Sequence, residues 1–138
     1  MDTGLLVGRI LLVAMFIFSG VTKFIDISGT AGYIAAKGLP APQALAAAAG
    51  AVEVVCGLMV VLGWHTRIAA LILALFTAGA GLLFHDFWNV PAGQEQINQM
   101  LHLWKNVSII GGFLAVAAAG AGRFSLDARR LGPAMSFP

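Results

Sequence analysis

Apolar residues run through this chain in four long blocks, separated by intervals that are polar or rich in glycine and proline. A helix that spans a bilayer needs about 20 mainly apolar residues at about 1.5 Å rise each. The blocks predict four such helices, over residues 4–25, 43–63, 67–87 and 101–121. The first includes Arg9 and Lys23, and the second encloses Glu53. The third is free of charge between Arg67 and His85. The apolar part of the fourth, Val107 to Gly122, is short, so its helix is expected to begin near Leu101 and to carry Lys105 and Asn106 into the membrane. The tight interval Trp64 to Thr66 makes the second and third helices antiparallel neighbours. The two long intervals, Asp26 to Pro42 and Asp86 to Met100, emerge on one common side. Within the latter, the polar stretch Gln94 to Gln99 reads as a short interfacial helical turn. The expected fold class is all-α, an integral membrane four-helix bundle over residues 1–122, followed by a short tail, 123–138.

Composition agrees with that reading: 59% of the 138 residues are apolar, only 10% are charged and the mean hydropathy is +0.90. The net charge of +2 does not point to nucleic acid, because the basic residues are dispersed and form no patch. They follow membrane topology instead. Arg67, Arg123, Arg129 and Arg130, with Arg9 just inside the first helix, lie on the side of the N-terminus, the tight turn and the tail. The long loops hold only Lys37, with Lys23 and Lys105 near helix ends. By the positive-inside rule both termini are expected in the cytoplasm. Trp64, Trp88 and Trp104 are expected at helix ends, where amphipathic rings favour the interface. Lys23 at the far end of the first block, with no A-x-A pattern after it, predicts a retained helix and not a cleaved signal. Cys56 is the only cysteine, so no intrachain disulfide or CxxC relay can form. The three histidines, His65, His85 and His102, are too scattered to point to a metal or haem site.

Glu53 is the most informative residue. Hydrocarbon solvates charge so poorly that an isolated carboxylate there must be protonated, paired, or turned toward water or a ligand. It lies about 15 Å from either end of its helix, and Arg9, Lys23, His85 and Lys105 are the cations within or beside the other segments. Long basic side chains can span part of the gap, which predicts pairing of Glu53 with Lys105 or Arg9. Arg9, Phe16, Gly20 and Lys23 share one face of the first helix; Gly50, Glu53 and Gly57 share one face of the second. His85 and Asp86 gather with Lys23 near the outer mouth, and the expected result is a polar cavity open to the outer side. The competing reading is that these charges only knit four helices together as buried ion pairs.

The same residues resemble the DoxX family: Arg9 with Phe16, Ser19-Gly20 and Lys23, then Glu53 with Gly57, Gly63 and Arg67, then His85, and finally Lys105-Asn106 with Gly111-Gly112. The resemblance covers almost the whole chain, from about Val7 to Gly120. It implies a four-helix bundle of the bacterial inner membrane, in a family linked to thiosulfate:quinone oxidoreductase, to oxidative stress and to a membrane oxidoreductase complex. The expectation is a redox-associated module that binds a quinone or quinone-like molecule in the cavity. Glu53, His85 and Lys105 would be the catalytic residues, and Arg9, Lys23 and Asn106 would hold the cofactor. No flavin, haem or cysteine motif supplies electrons, so a partner oxidoreductase subunit is implied, and self-association is open. The alternative is a non-catalytic anchor or a small-molecule permease, although no inverted repeat or broken helix marks a transporter.

Overall fold

The computed structural model describes residues 2–131; the remainder of the expected tail, 132–138, lies outside the described residues. In chain order the helices are α1 (Asp2–Ile25), α2 (Ile27–Ala36), α3 (Pro42–Leu62), α4 (Thr66–Phe84), α5 (Gln94–Ala119) and α6 (Leu126–Leu131), with a 3-10 turn at Phe87–Asn89. There is no strand among the described residues. Four helical segments are long and apolar enough to cross a membrane: α1, α3, α4 with the turn after it, and α5. The chain is therefore an all-α membrane protein, as the block pattern predicts.

The ends of the helices follow from local chemistry. Pro42 opens α3, where its missing N–H costs nothing, and Gly63 closes it in the left-handed region at φ 69°. Gly63 N and Trp64 N donate to the carbonyls of Val60 and Met59, at 3.2 and 2.9 Å. α1 packs along α3, and α4 along α5; these two pairs meet in a core of Val13, Phe16, Val60, Leu73 and Phe113. Phe16 and Phe113 meet edge-to-face at 5.2 Å between ring centres. Lipid tails are as apolar as leucine, so this core holds by close packing more than by escape from water. Glycine makes the closeness available. A methyl group at Gly20 would come within 2.8 Å of the Gly50 carbonyl and 2.7 Å of Val54 Cγ2.

The first long interval is not an open loop. Asp26 caps α2 by accepting from Gly29 N at 2.9 Å, and the helix packs through Ala31 and Ile34 on Ala46 of α3. Glycines at 29, 32 and 38 mask this helix in the sequence, whereas the capping aspartate announces it. The second interval is shorter than its composition indicates. Gln94 to Gln99 is not a separate interfacial turn, because it is continuous with α5. At about 1.5 Å per residue the 26-residue α5 exceeds a hydrocarbon core of about 30 Å, so its polar first turns can stand clear of lipid. Trp104 accordingly lies inside α5 and not at its end.

The segment after α5 folds back over the helix ends. Fully buried Arg9 reaches from α1 to the Ala121 carbonyl at 2.6 Å, the Phe124 carbonyl at 2.8 Å and the Val61 carbonyl at 3.4 Å. Arg67 donates to the Ala117 and Ala118 carbonyls, at 2.7 and 2.8 Å. The Val61, Ala117 and Ala118 carbonyls lie in the last turns of α3 and α5, where a cation offsets both the unpaired acceptors and the negative end of the helix dipole. Ala121 and Phe124 belong to the segment between α5 and α6. Asp127 does the converse at the start of α4. His65, the N-cap residue, has φ 46° and no capping side-chain bond, and Asp127 instead accepts from His65 N, Thr66 N and Thr66 Oγ1 at 2.7, 2.9 and 2.8 Å. Burial alone would push the Asp127 carboxyl up. The bonds from Thr66 and His65 and the nearby His65 charge outweigh it and hold the group below the ordinary carboxylate range.

Candidate functional site

Glu53 is buried and its partner is Lys23, with Nζ 2.8 Å from Oε2. Ser19 joins the two. Its hydroxyl donates to Glu53 Oε1 at 3.2 Å and accepts from Lys23 Nζ at 2.6 Å. The Lys23 contact on Oε2 is an ion pair off the hydrogen-bonding direction, so that oxygen accepts no hydrogen bond. The expected pairing with Lys105 or Arg9 is thereby corrected. Depth counted from helix ends assumes that the ends are level. Glu53 lies eleven residues into α3, about 16 Å, yet it faces Ser19, six residues or about 9 Å from the end of α1. α3 thus extends past α1, and Lys23 folds back down its own helix to reach the carboxylate. The i, i+4 spacing of Ser19 and Lys23 was the available signal for this triad.

The pair sits in the wall of a groove of about 930 Å³. Thr22, Lys23 and Asp26 come from the end of α1 and the start of α2, and Glu53 comes from α3. Ala48, Ala49, Gly79 and Ala80 provide small side chains along α3 and α4, and His85 stands at the end of α4. No residue of α5 lines it. The expected polar cavity is therefore a mainly apolar groove on the flank of the bundle with one polar wall. α2 spans its outer end. Tyr33 of α2 stacks on Phe84 at 5.1 Å, and Lys37 pairs with Asp86 at 2.6 Å, an acid expected to gather with Lys23.

The other expected site residues divide. His85 lines the groove, with Nδ1 2.8 Å from Gln99 Oε1 and its ring stacked on His102 at 5.1 Å. Lys105 is exposed on α5, outside the groove lining, and forms no ion pair among the described residues. Asn106 sits in the seam between α4 and α5, where a methyl on Gly81 would lie 3.0 Å from its Nδ2. Arg9 is at the opposite end of the bundle, occupied in holding the segment after α5 and the end of α3, with only its buried Nε unpaired. Three of the six thus converge, namely Lys23, Glu53 and His85, joined by Ser19, Thr22 and Asp26, which were not among the expected site residues. Together they offer a carboxylate, an ammonium, hydroxyls and an imidazole at the edge of an apolar slot. That set can hydrogen-bond carbonyl or hydroxyl groups and exchange protons with them. Among the described residues no cluster of three histidine, cysteine or acidic side chains could hold a metal.

Comparison with known proteins gives the same ancestry as the residue pattern. The chain is 38% identical over 125 residues to the inner membrane protein YphA of Escherichia coli, covering 91% of this chain and 89% of that one. It is 36% identical over 129 residues to the inner membrane protein YqjF of the same organism, covering 91% of each. An uncharacterized membrane protein of Mycobacterium tuberculosis is 35% identical over 127 residues, covering 88% of this chain and 77% of that one. No solved structure matches the chain. The DoxX family pattern matches residues 4–86, which include most of α1, the Lys23–Glu53 pair and His85, and the chain belongs to the DoxX family.

Proposed function

We propose that this protein is an inner-membrane module, with both termini in the cytoplasm, that binds a quinone or quinone-like small molecule in the flank groove and works with a partner oxidoreductase. The observation that carries the reading is the placement of Lys23 and Glu53, bridged by Ser19, in the polar wall of a mainly apolar groove. A quinone ring is apolar on its faces and presents carbonyl acceptors at its edge, which is the complement of such a wall. Its reduction to the quinol takes two electrons and two protons. The electrons come from the partner; Glu53 and His85 are the groups that pass protons, and Lys23 donates to a carbonyl. Lys105 and Asn106 fall outside this assignment, and Arg9 serves the fold.

The test is quinone content and affinity of the protein purified in nanodiscs, measured with thermal stability on the same samples. Wild type should retain extractable quinone. Glu53→Gln and His85→Asn should each lower affinity roughly tenfold or more, a loss of about 1.4 kcal/mol, while melting close to wild type. Loss of binding strictly in proportion to loss of stability would leave the pair as a helix fastener only.

A further inference from the structure

We infer that the ligand reaches the groove sideways from the bilayer and carries a hydrocarbon chain that lies along α3 and α4 past Gly79, behind a head with no net charge. This rests on the quinone reading and deepens it.

Four observations converge on that route. The end of the groove beside the helix termini is crossed by α2, held by the Tyr33–Phe84 stack, the Lys37–Asp86 pair and the packing of Ile34 on Ala46, which narrows it. The flank is open instead, since α5 contributes nothing to the lining and the rim residue Leu75 is 76% exposed at hydrocarbon depth. The slot is also too large for a ring alone. Ligand pockets run roughly 300–1,000 Å³ for whole drug-sized molecules, and this groove of about 930 Å³ is near the top of that range. Its lining on α4 extends from Ile72 to His85, about 20 Å along the axis. Finally, Gly79 faces the groove with open space where its side chain would be: nothing lies within 4 Å of a methyl group placed there. Gly20, Gly50 and Gly57, by contrast, are glycines because a neighbouring helix touches them.

Charge selects the head. Lys23 is already paired with Glu53, and Asp26 adds a second carboxylate to the wall. Among the described residues no spare ammonium faces the groove to meet a phosphate or carboxylate, so an anionic phospholipid such as phosphatidylglycerol would bring an uncompensated charge to Glu53 and Asp26. A neutral ring with carbonyl or hydroxyl edges meets Lys23 and Thr22 without that penalty. The acyl chains of an anionic phospholipid fit the apolar stretch, but its headgroup does not fit the wall.

The experiment uses the full chain in phosphatidylcholine nanodiscs, with binding corrected for partition into empty discs. Two probes are compared: a benzoquinone bearing a decyl chain and the same ring without it. Wild type should bind both, the chain-bearing probe more tightly. Gly79→Trp should weaken the chain-bearing probe about tenfold and leave the bare ring unchanged, because it fills the chain's path and touches none of the polar wall. Gly79→Leu should give the same split to a smaller degree, and serves if the larger residue impairs folding. If Gly79 variants weaken both probes equally, or neither, the chain does not lie there and the inference fails while the quinone reading stands. If wild type binds neither probe, the quinone reading fails and takes this with it. Displacement of the chain-bearing probe by added phosphatidylglycerol would make the groove a phospholipid site and overturn the inference.

Discussion

Lys23 and Glu53 are unequal partners, and the inequality decides how each substitution behaves. The lysine side chain is 21% exposed and stands near the end of α1, whereas the glutamate side chain is 7% exposed in mid-helix. A lysine released from its pair can extend its stem and carry its charge to the interface. A carboxylate released at that depth cannot. Lys23→Met should therefore cost about 3–5 kcal/mol, the usual range for breaking a buried pair from one side. Glu53→Gln should cost about 1 kcal/mol, because the amide keeps a bond to Ser19 and frees only the mobile partner. The double variant should recover most of the lysine loss. Melting of the three variants in one detergent tests this, and equal losses for both single variants would contradict the asymmetry. At this scale the sequence was informative about Glu53 itself, since a lone carboxylate in hydrocarbon demands an explanation. It was uninformative about the partner, because pairing depends on how far α3 slides past α1. That offset is set by the Gly20–Gly50 contact and by the room α2 takes up, neither of which composition reveals.

Elements that look peripheral in the sequence carry much of the architecture. α2 lies in an interval full of glycine, and α6 follows the apolar blocks in what reads as a tail, yet one straps the groove and the other seals the opposite face. They escape a hydropathy reading because the apolar face of α2, Ala31 and Ile34, is short and interrupted by glycine, while α6 is held by a few specific polar contacts. Asp127 is the clearest case, because it caps α4 from a distant part of the chain. Asp127→Ala should lower stability by about 1–2 kcal/mol, the scale of losing a helix cap. The same bonds make the contribution pH-dependent. The folded-state pKa of Asp127 is depressed, so its contribution is complete above the unfolded value of about 3.9 and is lost as pH falls through the folded one. Acid should thus erode wild-type stability more than that of Asp127→Asn, with the two melting curves converging at the lowest pH. Parallel curves from pH 6 to pH 3, or about that range, would show that the carboxylate is not the cap.

At the scale of the whole molecule, the four blocks conveyed the spans and the packing class, and the structure adds which ends share a face. Asp2 approaches Arg123 at 3.5 Å, and Arg9 holds the Ala121 and Phe124 carbonyls, so the two ends of the described chain lie together. The side of the membrane follows from charge. Arg9, Arg67, Arg123, Arg129 and Arg130 gather on that face, while α2 and the segment before α5 hold Lys37 alone. Arg9 and Arg67 also grip helix carbonyls, but they are still charges that resist translocation, so the face is expected in the cytoplasm. The positions that can test this are narrowed by the fold. Ser125 is buried against Gly63, and Gly38 has φ 71°, so a cysteine at either would report packing or strain as much as sidedness. Ala36, Ala92 and Arg129 are exposed. In a Cys56→Ala background, cysteine at Ala36 or Ala92 should react with an impermeant thiol reagent in intact cells, and cysteine at Arg129 should react only after the membrane is opened. The opposite pattern would place the Lys37 strap in the cytoplasm. It would also reverse the side of the membrane toward which the polar wall of the groove lies, since Lys23, Thr22 and Asp26 line the groove toward the α2 end of the bundle.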